Sequence, residues 1–285
     1  MIKTSSTKKD YNECEGGVMF LHIPRCGGTT FRHILNKCFN KCYTVGGKTS
    51  YDEFLKFKNQ PNKAKKYDCI MGHMGFGFHQ CVPESTYVTI LRDPVDRVVS
   101  NYVRNKMMGN VNCNLAEYVR KRCATNNVQT RLLCATDGSM NNYYEDMNEE
   151  RELSQDDLKL AKENLNKYFT LVGQLETFDH FLLLFKKEFK LDTMKIFYTK
   201  RNANIRKKRP DTYNISEDDK KIIINHNKLD IDLYDYSKKL FNKKINEYDG
   251  DINEDLKKFR KKNRIYNSIF RKKDQLYDII RRGLK

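Results

Sequence analysis

VMFLHIPRCGGTTFRHILNKCF, residues 18–39, decides the fold class. Val18 to Ile23 is a short apolar run, the stretch Pro24-Arg25-Cys26-Gly27-Gly28 interrupts it, and Phe31, Ile34, Leu35 and Cys38 then recur at helical spacing. The pattern predicts a strand, a glycine-bearing loop and a helix. The first N–H groups of such a helix have no intrahelical acceptor, and the aligned peptide dipoles place positive charge there. A phosphate or sulfate fits such a loop. Arg25 adds a fixed cation, and Thr29 and Thr30 add hydroxyls. A tight turn that merely needs glycine is the plainer alternative.

The same grammar returns in YVTILRDPVDRVVSNYV, residues 87–103. A β-branched run ends at Leu91, Asp93 stands as N-cap, and Pro94 takes the first helical position. Val95, Val98, Val99 and Tyr102 form the expected buried stripe. Arg92 at the strand end and Ser100 two helical turns on supply a charge and a hydroxyl for a second phosphate. Further along, Leu171 to Gly173 reads as a third strand, Thr177 to Phe189 as a buried helix, and Met194 to Tyr198 as a fourth strand. Alternating strands and helices predict an α/β fold, with a mainly parallel central sheet that carries its ligands at the carboxyl ends of the strands.

From Ile215 onward the pattern is helical, with Leu229, Leu233, Tyr236, Leu240 and Ile245 on an apolar face. Beyond Gly250 it becomes a charged amphipathic helix, with 12 basic and 2 acidic residues between Lys257 and Lys285. The expected organisation is a polar N-terminal tail over 1–17, a catalytic domain over 18–247 and a basic helix over 248–285. A solvated helix and a polyanion-binding arm are both compatible with that last segment.

The 285 residues carry 54 Lys+Arg against 37 Asp+Glu, a net charge of +17, so the protein attracts anions: nucleotides, nucleic acid, acidic lipids or sulfated glycans. Charge alone does not choose among them. No stretch approaches the roughly 20 apolar residues that span a bilayer, and the first residues lack the apolar core of a signal peptide. Nine Cys is an odd number, with no Cys-x-x-Cys pair and no Cys/His cluster at zinc spacing, so no metal site is expected. Reduced thiols and lumenal disulfides both remain open.

The first loop is not a Walker A loop, which would place Gly, Lys and Thr where Gly28, Thr29 and Thr30 stand. GGKTS, residues 46–50, ends like one, but the earlier glycine is missing at Cys42. Instead HIPRCGGTTF (22–31) and TILRDPVDRVVSNY (89–102) resemble the 5′-phosphosulfate and 3′-phosphate loops of sulfotransferases. These enzymes use 3′-phosphoadenosine-5′-phosphosulfate (PAPS). With NNVQTRLL (126–133), LVGQLETFDHFLLLF (171–185) and LDIDLYDYSKKLF (229–241), the chain is most similar to the heparan sulfate 6-O- and 2-O-sulfotransferase group, from about Val18 to Ile245.

The resemblance implies a P-loop-like three-layer fold, PAPS as donor without a metal, and a carbohydrate acceptor, with no nucleic acid expected. It implies that Arg25, Cys26, Gly27, Gly28, Thr29 and Thr30 hold the 5′-phosphosulfate, and that Arg92 and Ser100 hold the 3′-phosphate. Arg25 replaces the usual lysine and Cys26 a common threonine. The basic loop TKRNANIRKKRP (199–210), with Arg206, lies where the family folds a segment over the nucleotide. Animal members of the group are anchored in the Golgi membrane. The implied compartment is therefore the Golgi lumen if an anchor is missing, and otherwise the cytoplasm.

Histidine suits proton abstraction near neutral pH. In DCIMGHMGFGFH (68–79), His73 corresponds to the catalytic histidine of the similar segment in the 2-O enzymes, whose second histidine is Met71 here. His79 is the backup; His22, His33, His180 and His226 read as structural or exposed. Gln129 and Arg131 carry an amide and a guanidinium suited to orienting a sugar, or to an interior polar network. The expected activity is in-line sulfuryl transfer with His73 as base and Arg25 at the leaving group. The rival readings are a P-loop kinase or other NTPase, which needs a loop lysine and a Mg²⁺ ligand, and a non-enzymatic polyanion-binding protein.

Overall fold

The computed structural model describes residues 17–82, 84–121, 126–140, 152–199 and 215–283, with side chains to 270. Five strands form one sheet: β1 (Val18–Leu21), β2 (Cys42–Val45), β3 (Cys69–Gly72), β4 (Thr86–Leu91) and β5 (Phe169–Gln174). The order is β2-β3-β1-β4-β5, and every neighbouring pair is parallel. Because β1 lies between β3 and β4, the loops that leave these three strands emerge side by side along one rim.

The helices are α1 (Gly28–Cys38), α2 (Ser50–Asn59), α3 (Pro61–Ala64), α4 (Pro94–Met107), α5 (Leu115–Lys121) and α6 (Val128–Leu133). After them come α7 (Gln155–Tyr168), α8 (Phe178–Glu188), α9 (Thr193–Ile196), α10 (Glu217–His226), α11 (Lys228–Asn246) and α12 (Ile252–Gly283). Strand side chains alternate between two buried faces. Val18 and Phe20 join Phe31, Ile34 and Leu35 of α1 and Phe181 and Phe185 of α8. Met19 and Leu21 join Phe54 and Phe57 of α2, Leu158 and Leu165 of α7, and Leu233 of α11. The parallel sheet is the one expected from the alternating pattern, and the two helical layers on it make the three-layer architecture that the resemblance implies. The apolar stripe Phe31, Ile34, Leu35 and Cys38 is buried throughout, and so are Val98 and Tyr102 of α4.

Three elements depart from the sequence expectations. β2 and β3 are additional strands; each has four residues, too few for a periodicity to register. β2 therefore does precede GGKTS, but that turn places Thr49 Oγ1 on Glu53 Oε1 at 2.8 Å and leaves Lys48 exposed at the sheet's edge. Met194 to Tyr198 is not a fourth strand. Asp192 caps Met194 N at 2.6 Å and starts the short helix α9, after which Tyr198 N donates to Asn263 Oδ1 of α12 at 2.8 Å. The basic helix α12 thus packs on the body: Leu256 and Phe259 belong to the same core as α1 and α8. Among the described residues no helix is long and apolar enough to cross a membrane.

Candidate active site

The loops after β1 and β4 touch. Arg92 Nη1 donates to the carbonyl oxygen of Arg25 at 3.3 Å. Arg25 in turn donates from Nε and Nη2 to Ser100 Oγ, at 3.1 and 2.8 Å. Arg25, Arg92 and Ser100 therefore form one cationic, hydroxyl-bearing cluster at the carboxyl rim. The two turns that the sequence suggests for anion binding meet at one place, close enough for a single ligand to reach both.

The first turn is shaped by backbone conformation. Gly27 caps α1 at φ 81, where glycine is at no disadvantage, whereas Arg25 adopts φ 73 with a full side chain. That conformation costs a non-glycine residue roughly 1–2 kcal/mol, a strain expected where the surrounding contacts hold a functional loop in place. Thr29 is exposed and Thr30 half-buried, so the leading edge of α1 faces outward. Cys26 points inward, with Sγ 3.7 Å from Gln129 Oε1, and burial pushes its thiol up to about 12. It is a packing residue rather than a nucleophile.

The second turn is held from beneath by a buried polar strut. Asp93 Oδ1 caps α4 through Asp96 N at 3.0 Å. Gln129 accepts from Arg92 N at 3.0 Å and donates to Arg92 O at 2.9 Å. Asp230 of α11 receives Gln129 N at 3.1 Å, Thr130 N at 2.7 Å and Thr130 Oγ1 at 2.8 Å, so its carboxylate caps the first turn of α6. Burial raises the Asp230 pKa, opposed first by the charge of fully buried Arg97 and then by these hydrogen bonds. Glu176, just beyond β5, completes the turn: it accepts Asp93 N at 3.2 Å and the Tyr234 hydroxyl at 2.8 Å. Gln129, expected to orient the acceptor, is instead wholly buried, and its amide is bonded to the backbone of Arg92. Arg131 is buried on the same helix, with 8% of its surface exposed. This is the interior polar network left open by the sequence.

His73 directly follows β3 and lies beside the β1 loop. Its Nδ1 is 2.9 Å from the carbonyl oxygen of His22. A carbonyl only accepts, so Nδ1 carries the hydrogen and Nε2 the lone pair. Burial pushes the His73 pKa down to about 4, partly offset by the hydrogen bond to His22. The ring is neutral at physiological pH and able to accept a proton. His79 does not join this cluster. Its ring packs on Tyr168 and Phe76, with centroids 4.4 and 4.7 Å away, and its Nδ1 is 3.5 Å from the hydroxyl of Tyr87, near the start of β4 and thus at the opposite rim. Arg206 lies outside the described residues, as does most of the basic loop around it.

His22, Glu176 and Tyr234 are site residues that the sequence reading did not single out. The last two stand inside segments quoted above, but their partners are 83 and 58 residues away in the chain. Among the described residues no group of three or more His, Cys, Asp or Glu side chains is placed to hold a metal ion. The buried Nε of Arg92 has no hydrogen-bond acceptor among the described residues. With the N-terminus of α1, Arg25 and Ser100, the set of donors suits a ligand carrying two separated anionic groups.

A family model described as galactose-3-O-sulfotransferase matches residues 10–279. No curated protein matches the chain. The match supports the reading as a carbohydrate sulfotransferase and places the chain in the galactose-3-O family; it does not bear out the heparan sulfate 6-O/2-O group that the motifs resemble.

Proposed function

Since the chain belongs to the galactose-3-O-sulfotransferase family, we propose that it moves the sulfuryl group of PAPS onto a carbohydrate hydroxyl, with His73 as the base. The observation that carries this reading is the direct contact between the Arg25 loop and the Arg92 turn. One doubly phosphorylated adenosine can then be held at both ends. The first turn of α1 and Arg25 bind the 5′-phosphosulfate; Arg92 and Ser100 bind the 3′-phosphate. The donor supplies the activated sulfur–oxygen bond.

His73 takes the hydroxyl proton on Nε2 as the hydroxyl oxygen forms its bond to sulfur. The bond from sulfur to the bridging phosphate oxygen breaks in line, and its electron pair leaves with the phosphate. Arg25 and the α1 amides stabilise that departing charge, as fixed dipoles and cations do in phosphoryl transfer. A guanidinium does not give up its proton, so Arg25 acts as an electrostatic clamp and not as an acid. The His22 carbonyl steadies the imidazolium through Nδ1–H. The acceptor named by the family description is galactose at its 3-hydroxyl.

Isothermal titration calorimetry tests the donor half. Adenosine 3′,5′-bisphosphate should bind without Mg²⁺; ATP binding that requires Mg²⁺, with no bisphosphate binding, overturns the assignment in favour of a P-loop NTPase. Labelled PAPS and a panel of galactose-terminated oligosaccharides and desulfated polysaccharides test the acceptor half, and transfer to none of them removes the carbohydrate reading.

A further inference from the structure

The ring of His22 stands between the donor loop and His73. It leaves β1 as a nearly buried side chain, 5% exposed, and its backbone continues the sheet by donating from N to Gly72 O at 2.9 Å. One face stacks on His73, with centroids 4.1 Å apart and planes 24° apart; the Phe20 ring also stacks with it at 5.4 Å. Its edge abuts Gly28, the first residue of α1: a Cβ there would lie 2.0 Å from His22 Cδ2 and 2.2 Å from Nε2. A single imidazole therefore touches the helix start that would bind phosphosulfate and the ring that would take the proton. Met71 stands where a sequence comparison looks for a second histidine, yet the fold supplies one from β1.

We propose that His22 is a positioning residue for sulfuryl transfer, a neutral stacking wall that aims Nε2 of His73 and keeps water from its ring. This rests on the assignment of His73 as base. Two buried imidazoles in van der Waals contact resist double protonation, because a charge on either opposes a charge on the other. Burial holds the His22 pKa well below the ordinary histidine value, reinforced by His73, Arg32 and Arg25. The charged groups acting on His73 are Arg32 of α1 and Arg104 of α4, both of which also disfavour its protonation. A neutral His22 thus leaves room for the one proton that the reaction delivers, and it delivers that proton to His73.

The test compares His22→Ala with His22→Phe in the full chain, following the His73 ring protons by NMR titration and kcat against pH. Removing the ring admits water and relieves the burial that lowers the His73 pKa. In His22→Ala that pKa should rise toward the ordinary histidine value, the acid limb of kcat should move to higher pH with it, and kcat should fall about tenfold or more. Phenylalanine keeps the stack and cannot titrate, so His22→Phe should keep the low acid limb and most of kcat. An unmoved His73 titration in His22→Ala, or an equal loss in both variants at unchanged pKa, overturns the proposal. Should His22→Ala fail to fold, a His22→Phe enzyme that folds but has lost its kcat overturns it on its own. His73→Ala measured alongside separates the two ideas: full turnover there defeats the base assignment, whereas lost turnover there with no His22 effect defeats only the positioning role.

Discussion

His73 and His79 stand six residues apart and finish at opposite rims of one sheet. His73 follows the last residue of β3 and lies against His22 at the start of the β1 loop, on the rim that carries Arg25 and Arg92. His79 contacts Tyr87 and Tyr168, which precede or begin β4 and β5, and the four residue steps from Tyr87 to Leu91 place it roughly 13 Å further from the site. Burial lowers the pKa of both rings, that of His73 to about 4, but such a shift does not place either ring at the site. Strand direction does. In a parallel sheet every carboxyl end points the same way, and a histidine acquires chemistry from the end on which it falls.

Four substitutions break or sharpen that contrast. His73→Ala should show the largest effect, a loss of roughly 10²–10⁴ in kcat with unchanged affinity for adenosine 3′,5′-bisphosphate, measured by steady-state sulfate transfer and calorimetry. Arg92→Ala should weaken the bisphosphate about 10–100-fold, the loss of a charge-assisted contact, and should weaken adenosine 5′-monophosphate much less. Equal losses for both ligands would detach Arg92 from the 3′-phosphate. Gln129→Ala leaves the Arg92 backbone groups buried and unmet, so urea denaturation should show a stability loss of ~1–3 kcal/mol. His79→Phe should show the smallest change, a near volume-conserving swap costing less than about 1.5 kcal/mol with kcat intact. A loss of turnover matching that of His73→Ala would erase the distinction between the two rims.

The parts legible from sequence were those carried by neighbours in the chain. The β1 loop and α1 were readable because two glycines, an arginine and a four-member apolar stripe fall within 14 residues. The Arg92 turn was readable because Asp93 and Pro94 are a local helix start. β3 was missed because Cys69–Gly72 is shorter than a period-2 signal needs, and it is buried on both faces. Met194 to Tyr198 misleads for a related reason: so short a segment, largely apolar but for Lys195, suits either element, and the Asp192 cap decides for helix. His22 was read as structural because its partner His73 lies 51 residues on, and only the parallel pairing of β1 with β3 brings them together. For Gln129 the sequence leaves acceptor binding and an interior network both open, because an amide on a helix carries no sign of which way it faces; Asp230, 101 residues away, is what turns the start of α6 inward.

That last separation constrains how the protein comes into being. All five strands have been synthesised by Gln174, yet the strut beneath Arg92 waits for Asp230, and the Glu176 brace waits for Tyr234. Contacts closing loops of such length form slowly. A nascent chain that has released only its sheet therefore owns the Arg25 and Arg92 turns but no rigid floor beneath them, and nucleotide affinity should arise only after α11 has left the ribosome.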